Sequence, residues 1–393
     1  MAYAERWLLP DGVEDILPEQ ASRIESLRRR LLDLYAAWGY ELVIPPLIEY
    51  TDSLLIGLGA DVDLMTFKVI DQLTGRTMGI RADITPQTAR IDAHSLQREG
   101  VSRLCYASHV LYTKPKSPLG TRSPLQAGIE MYGESGLDAD IEVVSLLLAT
   151  LERAGLKQLN IDVGHVGIFR ALVAEADLSD AQQTEFLALL QSKAIADINA
   201  WVDSAKLASN TSKMLKALPT LAGSSGVLRQ AAKIFSAAPT SVLAALQDLE
   251  EVAEVIQRRY PAAELYFDLS ELRGYHYHTG LVFAAFSPGY GAALAKGGRY
   301  DRVGEVFGRS RAATGFDVDV MALDRILDRV KAERGAIFAP FTDDQAQWQV
   351  ISDLRQKGEV VVCGFAGQLV CDAQLDCDRQ LMQEQGVYQV KSL

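Results

Sequence analysis

Arg273-Gly274-Tyr275-His276-Tyr277-His278-Thr279-Gly280 and, shortly after it, Lys296-Gly297-Gly298-Arg299-Tyr300-Asp301 gather an arginine, several ring hydroxyls and imidazoles, and paired glycines into one hairpin-sized region. That chemistry suits a small zwitterion. A cation meets its carboxylate, and ring donors and acceptors meet a polar side chain. A third stretch, Gln126-Ala127-Gly128-Ile129-Glu130-Met131-Tyr132-Gly133, alternates as a strand does. Period two sends Gln126, Gly128 and Glu130 to one face, where an amide and a carboxylate can hold an amine and a ring N–H. Taken singly, each feature is modest. Arg273 alone reads as a salt-bridge partner, Arg299 as a surface cation, Glu130 as an exposed strand residue, and Gly297-Gly298 as a turn. Their order along one chain makes an amino-acid pocket the better reading.

These three stretches closely resemble the histidine-binding signatures of histidyl-tRNA synthetase, a class II synthetase, and the resemblance runs from about Leu9 to Arg325. It implies that Gln126 and Glu130 hold the amino group and imidazole of histidine, that Arg273 meets the carboxylate, and that Tyr277 and Tyr300 complete the ring pocket. Asp83 and Thr85, in Arg81-Ala82-Asp83-Ile84-Thr85, fall where the family serves the amino group. Asp83 is one methylene shorter than the family's glutamate, and His278 replaces one of its paired tyrosines. The histidine-binding set implied is therefore Asp83, Thr85, Gln126, Glu130, Arg273, Tyr277, His278 and Tyr300.

Adenylate formation develops negative charge that a site must meet with fixed cations, and arginine's fork suits it. In the resemblance, the arginine of the second class motif falls on Tyr112, and the acidic residue after it falls on Lys114. The third motif's closing arginine falls on Ala322, after Asp319, Val320 and Met321; Asp324-Arg325 reproduces the acid–arginine pair only with a two-residue shift. A synthetase fold that keeps the histidine pocket and loses the ATP grip resembles the regulatory subunits of ATP phosphoribosyltransferase. That resemblance implies no catalysis of its own; no cofactor is expected, and no metal site either, because no cluster of side chains has ligand spacing. It also implies a short-form catalytic subunit as partner, free histidine as ligand, and a homodimer inside a larger hetero-oligomer. Two alternatives stand beside it. A working histidyl-tRNA synthetase would use Arg325 and Lys114 as substitute cations and show histidine-dependent pyrophosphate exchange. A histidine sensor for an unrelated protein would differ in what it pulls down.

The elements that position these residues follow from pattern. Ile24, Leu27, Leu31, Leu34 and Trp38 form an apolar stripe on a helix opened by Pro18 and closed near Gly39. A strand from Tyr40 to Glu49, interrupted by Pro45 and Pro46, resembles the first class II motif, which forms the family's homodimer interface. A helix from about Pro86 to Arg98 precedes two strands joined by a loop carrying Lys114, Lys116 and Arg122, which reads equally as a basic lip over an anion or a solvated turn. A helix over about 141–154 leads to a strand at Leu159–Val163. Residues 177–259 predict a helical insertion, with a capping box at Ser179 and Gln182 and a stripe through Leu243, Leu246, Leu249, Val252 and Ile256. Strands follow at 264–269, 281–286, 291–296 and 313–320, with antiparallel pairing expected from short connections. The fold class is α+β: a class II synthetase-like antiparallel sheet flanked by helices over residues 1–334, then a small α/β domain over 335–393. That tail predicts a strand at Glu359–Phe365 and a helix near Arg379–Glu384, and it is small for an anticodon-binding module.

Composition bounds the partners. The 393 residues are 48% hydrophobic, ample for a core, and the net charge of -12 weighs against a phosphate-backbone ligand such as tRNA. Cys105, Cys363, Cys371 and Cys377 show no CxxC pair, so free thiols in a reducing cytoplasm are expected. No apolar run reaches membrane length and no signal peptide is evident at the N-terminus, so a cytoplasmic protein is expected. His94, His109 and His165 belong to no ligand-spaced cluster and read as structural.

Overall fold

The computed structural model describes residues 7–55, 60–116, 120–272, 274–327, 335–372 and 375–393. The chain divides into two compact units, Met1–Leu327 and Asp328–Leu393. In chain order the strands of the first are β1 (Glu41–Leu42), β2 (Ile48–Tyr50), β3 (Phe67–Ile70), β4 (Thr77–Ile80), β5 (Ser102–His109), β6 (Leu125–Tyr132), β7 (Leu159–His165), β8 (Ala222–Gly223), β9 (Ala263–Asp268), β10 (Leu281–Phe286), β11 (Ala295–Arg299) and β12 (Ala313–Asp319). Among the described residues nine of these form one sheet, ordered β1-β5-β6-β12-β11-β10-β7-β9-β8, and β2-β4-β3 form another.

Strand alternation gives the large sheet two different faces. Cys105, Ile129, Phe316, Gly297, Phe283 and Val163 stand in register across six strands on one face. All but Gly297 merge into the main apolar core with helices Pro18–Ala37, Leu137–Ala154 and Thr240–Arg259. Burying each such side chain contributes roughly 1.5–3 kcal/mol, so this face anchors the fold. Ile24, Leu27, Leu31 and Tyr35 supply the first helix's buried stripe, and Tyr35 meets Phe316 edge-on at 6.2 Å between ring centres. Tyr35, rather than the predicted Leu34, is thus the fourth buried position. In the Thr240–Arg259 helix, likewise, Val242 and Ala245 face inward while Leu243 is exposed.

The chain departs from the sequence expectations where tertiary pairing outweighs local pattern. Pro45 and Pro46 lack the N–H groups a ladder needs, so the expected 40–49 strand becomes β1 and β2, which join different sheets. The helix after Asp83 runs Thr85–Arg90 and widens into a π-helical turn, Ile91–Leu96, stopped by Gln97 at φ 48°. Pairing is not wholly antiparallel, because β1–β5 and β7–β9 run parallel. The second case has a clear cause: the helices between β7 and β9, including the predicted insertion, act as the crossover that parallel neighbours require. Gly297 and Gly298 lie inside β11 rather than in a turn, paired with Phe283 and Val282 on one side and Phe316 and Gly315 on the other.

His165 ends β7 and caps the next helix, its Nδ1 accepting from the Gly167 N–H at 3.1 Å. Burial, with the Arg299 guanidinium a lesser contributor, pushes this imidazole down to about 4. The unfolded chain, with its imidazole near 6.5, therefore binds the proton first as pH falls. Between pH 7.5 and pH 5 the folded state is expected to lose about 2 kcal/mol from this group. Chemical denaturation of wild type and His165→Asn at both pH values checks this, since the variant keeps a capping acceptor without the titration. An equal loss in both proteins would remove His165 as the cause.

In the second unit, β13 (Ala336–Ala339), β14 (Val361–Cys363), β15 (Cys377–Glu384) and β16 (Val387–Ser392) form a sheet ordered β14-β13-β15-β16, with one helix, Gln345–Gln356. Ile337, Ala339, Ile351, Val361 and Leu381 make its core. The predicted helix near Arg379–Glu384 is strand β15. Gln385 and Gly386 both adopt positive φ (49° and 81°), and this two-residue turn closes a hairpin that commits both flanks to strands. Cys371 and Cys377 are paired as a disulfide, their Cα atoms 6.3 Å apart, and are not the free thiols expected from spacing. The return of the chain into β15 brings them together. Cys105 and Cys363 are free.

Candidate functional site

The second face of the sheet is built for polar contact. One register row places Tyr106, Gly128, Asp317, Lys296, Ala284 and Asp162 side by side. The next row holds Leu104, Glu130, Gly315, Gly298 and Val282. Tyr106, His278, Glu130 and Tyr300 pack over the three glycines of these rows, which add no side chain of their own to this face. A cavity of about 440 Å³ opens on it, reached by Tyr277, His278, Lys296, Asp317, Lys116 and Arg325 among others.

Beside this cavity, though not among its lining residues, a polar wall runs as a hydrogen-bonded chain from the loop before the Thr85–Arg90 helix to β6. Gln126 Oε1 accepts from the Ile84 N–H at 3.2 Å, and Gln126 Nε2 donates to Asp83 Oδ1 at 3.2 Å. The same Asp83 oxygen accepts from the Thr85 N–H at 3.3 Å, while the Thr85 hydroxyl donates to Glu130 Oε1 at 2.7 Å. Tyr106 adds a second donor to that oxygen at 3.3 Å. Behind this wall, Arg81 is spent on scaffolding, donating to the carbonyls of His109 at 2.9 Å and Pro45 at 2.8 Å. Glu130 is 1% exposed. Burial pushes its carboxyl well above the usual carboxylate range, the Thr85 bond opposing and the Asp83 and Asp317 charges reinforcing the rise.

The opposite wall is aromatic. Tyr277 and His278 lie 4.1 Å apart between ring centres, and Tyr300 stands 5.7 Å from the first and 6.2 Å from the second. The turn that presents them depends on Gly274, at φ 65°, where a side chain would also collide with His278. Between the two walls lies Gly315. A methyl group there would run into both Glu130 Oε2 and the Tyr300 hydroxyl. Those two oxygens are buried and have no hydrogen-bond partner among the described residues. Unpaired buried polar atoms are costly, about 1–3 kcal/mol each. Here two of them converge on one spot, over Gly315, where one donor and one acceptor brought between them would satisfy both.

Seven of the eight residues predicted for the pocket therefore come together: Asp83, Thr85, Gln126 and Glu130 on one wall, and Tyr277, His278 and Tyr300 on the other. Arg273 lies outside the described residues. Arg299, adjacent to Tyr300, faces away from ligand chemistry. It is 7% exposed and donates to Asp140 at 2.8 Å, to Asp301 at 3.2 Å, and to the carbonyls of Glu134 and Gly136. Thr279 and Asp301 then stitch the two signature loops together at 2.9 Å.

A family model for histidyl-tRNA synthetase matches residues 12–323, and one for the C-terminal domain of the ATP phosphoribosyltransferase subunit HisZ matches residues 334–391. The ATP phosphoribosyltransferase regulatory subunit of Cellvibrio japonicus is 57% identical over all of this chain and 98% of its own length. The regulatory subunit of Saccharophagus degradans is 55% identical over 98% of each chain. The chain belongs to the family of ATP phosphoribosyltransferase regulatory subunits. Among solved structures, an ATP phosphoribosyltransferase regulatory subunit/histidyl-tRNA synthetase from Bacillus halodurans superposes with a TM-score of 0.82 at 28% identity, covering 94% of this chain and 95% of that one. The class II synthetase-like α+β fold expected from the motifs is thus the fold of the family.

Within that family frame, several residues have scaffolding roles that the sequence left open. Tyr112 is buried, and its hydroxyl accepts from Lys116 Nζ at 2.8 Å. Asp319 caps the Val320–Ile326 helix by accepting from the N–H groups of Met321 and Ala322, both at 3.0 Å. Asp324 pairs with Arg23 at 3.0 Å, and Arg325 donates to Glu14 at 2.7 Å. Sequence reasoning missed Arg170. From the helix Val166–Glu175 its Nη2 donates to the carbonyls of Tyr275 at 2.6 Å and His278 at 2.9 Å, and its guanidinium lies over the Tyr275 ring. It holds the aromatic loop by its main chain, and a main-chain partner leaves no motif in a sequence.

Proposed function

We propose that this chain is the non-catalytic regulatory subunit of ATP phosphoribosyltransferase, acting in the first step of histidine biosynthesis, and that it binds free histidine between its polar and aromatic walls. The observation that carries the reading is the pair of unpartnered oxygens on Glu130 and Tyr300 over Gly315. An imidazole offers one N–H and one bare nitrogen in its neutral form, and so satisfies an acceptor and a donor together. Gln126, Asp83 and Thr85 take the amino group, Tyr277 and His278 flank the ring, and Arg273 takes the carboxylate. The chain assembles with a short-form catalytic subunit in the cytoplasm, supports its activity and carries histidine feedback to it. Feedback requires that histidine bind two states of the assembly with different affinity.

The test is phosphoribosyl transfer to ATP by a short-form catalytic subunit, with and without this chain, across a histidine titration. Stimulation by the chain, with inhibition by histidine that depends on it, is expected. An unchanged rate and unchanged inhibition would refute the regulatory role.

Within the assembly the chain forms a homodimer. Leu42, Ile44, Leu47 and Ile48 are exposed along the β1–β2 segment, as are Val69 and Ile70 on β3, and Ile44 is 83% exposed. An apolar stretch of this kind is costly to leave in water and suits a second copy of the chain. Sedimentation velocity is expected to report twice the chain mass, and a monomer at every concentration would refute it.

A further inference from the structure

The loop between β5 and β6 carries three cations, and they behave differently. Lys114 is exposed. Arg122 is tied to main chain, donating to the carbonyls of Tyr112 at 3.0 Å and Asp11 at 3.2 Å. Lys116 turns into the cavity. Its Nζ donates to the Tyr112 hydroxyl at 2.8 Å, and no ion pair with a carboxylate forms there among the described residues. Lys296, the other lysine facing the same space, is compensated by Asp317 at 3.9 Å. Lys116 thus presents to the cavity an ammonium that is hydrogen-bonded to Tyr112 and has no carboxylate paired with it among the described residues.

Its position relative to the polar wall is what gives it a role. The groups that act on the Lys116 ammonium are Lys296, Asp317 and Asp83, with Tyr112 as its hydrogen-bond acceptor. Asp83 is also the carboxylate assigned to the amino group of the ligand. In an α-amino acid the ammonium and carboxylate share one carbon, so the cation for one must stand beside the anion for the other. We propose that Lys116 is a carboxylate-binding residue of this site, selecting α-amino acids over their decarboxylated or alcohol analogues. This rests on the histidine reading above. The carboxylate supplies the counter-ion that this cavity-lining ammonium lacks, at the strength of a charge-assisted hydrogen bond. Without ligand, burial and the Lys296 charge push this amine down to about 8. An anion beside it favours the protonated form, so binding takes up a proton and weakens as pH rises through about 8.

The test compares L-histidine with L-histidinol, which keeps the ring and the amine and replaces the carboxylate by an alcohol, in calorimetric titrations of the full chain. Lys116→Gln is expected to weaken histidine by about 10- to 100-fold and to leave histidinol within about twofold. Lys116→Arg is expected to restore histidine binding and to remove the part of the pH dependence centred near 8. Equal weakening of both ligands, or undiminished histidine binding in Lys116→Gln, would overturn the assignment while leaving the histidine pocket standing. Absence of histidine binding by the wild-type chain would overturn the pocket and this assignment together. Histidinol binding serves as the control that the variant is folded.

Discussion

Glu130→Ala is expected to raise the histidine concentration for half-maximal inhibition of the assembly by roughly 100-fold while the complex itself stays intact. Two effects combine. The ring loses its partner at Oε2, and Thr85 and Tyr106 lose the acceptor that holds the polar wall in place. Each hydrogen bond to a neutral carboxyl contributes about 0.5–1.5 kcal/mol, and each buried partner left unpaired costs about 1–3 kcal/mol. Glu130→Gln separates them, because it preserves the acceptor for Thr85 and replaces only the oxygen over Gly315. Its loss is expected to be near tenfold. Burial already holds the native carboxyl toward its neutral form, so the amide does not strip a charge the site depends on. Inhibition curves and sedimentation of the assembly check both variants. Unchanged inhibition in Glu130→Ala would remove this pocket from the mechanism.

Arg299→Ala is expected to destabilise the first unit by about 3–5 kcal/mol, the range for breaking a buried ion pair from one side. Asp140 is left as a buried carboxylate whose partner is gone, and the carbonyls of Glu134 and Gly136 lose their donor. Burial opposes ionisation of Asp140, and Arg299 is what counters it. Urea denaturation measures the loss, with the steepness of the transition confirming that the same unit unfolds. A change below about 1 kcal/mol would show the pair to be dispensable, as exposed pairs are. Histidine binding in the surviving folded protein separates this role from ligand contact, because Arg299 points toward Asp140 and not into the cavity.

How much of this was legible in the sequence depends on the range of the interaction. Gln126 and Glu130 could be placed on one face because strand alternation is local, and the same parity sorted Ile129 into the core. Tyr277, His278 and Tyr300 could be brought together because their loops are joined by a short hairpin. Arg299 resisted, since its partner Asp140 lies 159 positions away and a lone arginine advertises nothing. Arg170 resisted for a different reason, being recognised by carbonyl oxygens that every residue has. Lys116 was seen only as part of a basic loop, and its inward turn depends on the hydroxyl of Tyr112. In the tail, Arg379–Glu384 carries too few apolar residues to show a period, and the two-residue turn at Gln385-Gly386 outweighs its composition.

The three glycines of the polar sheet face have a consequence for how the site can be probed. At Gly128, Gly298 and Gly315 the side chains of Tyr106, of His278, and of Glu130 with Tyr300 close directly onto main chain. That inverts the usual logic of truncation. At these three positions alanine adds bulk where elsewhere it removes it, and a scan that passes over glycine leaves the seat of those side chains unexamined. One methyl group at Gly315 would push against Glu130 Oε2 and the Tyr300 hydroxyl together, with every charge and every hydrogen-bonding group in the walls still present.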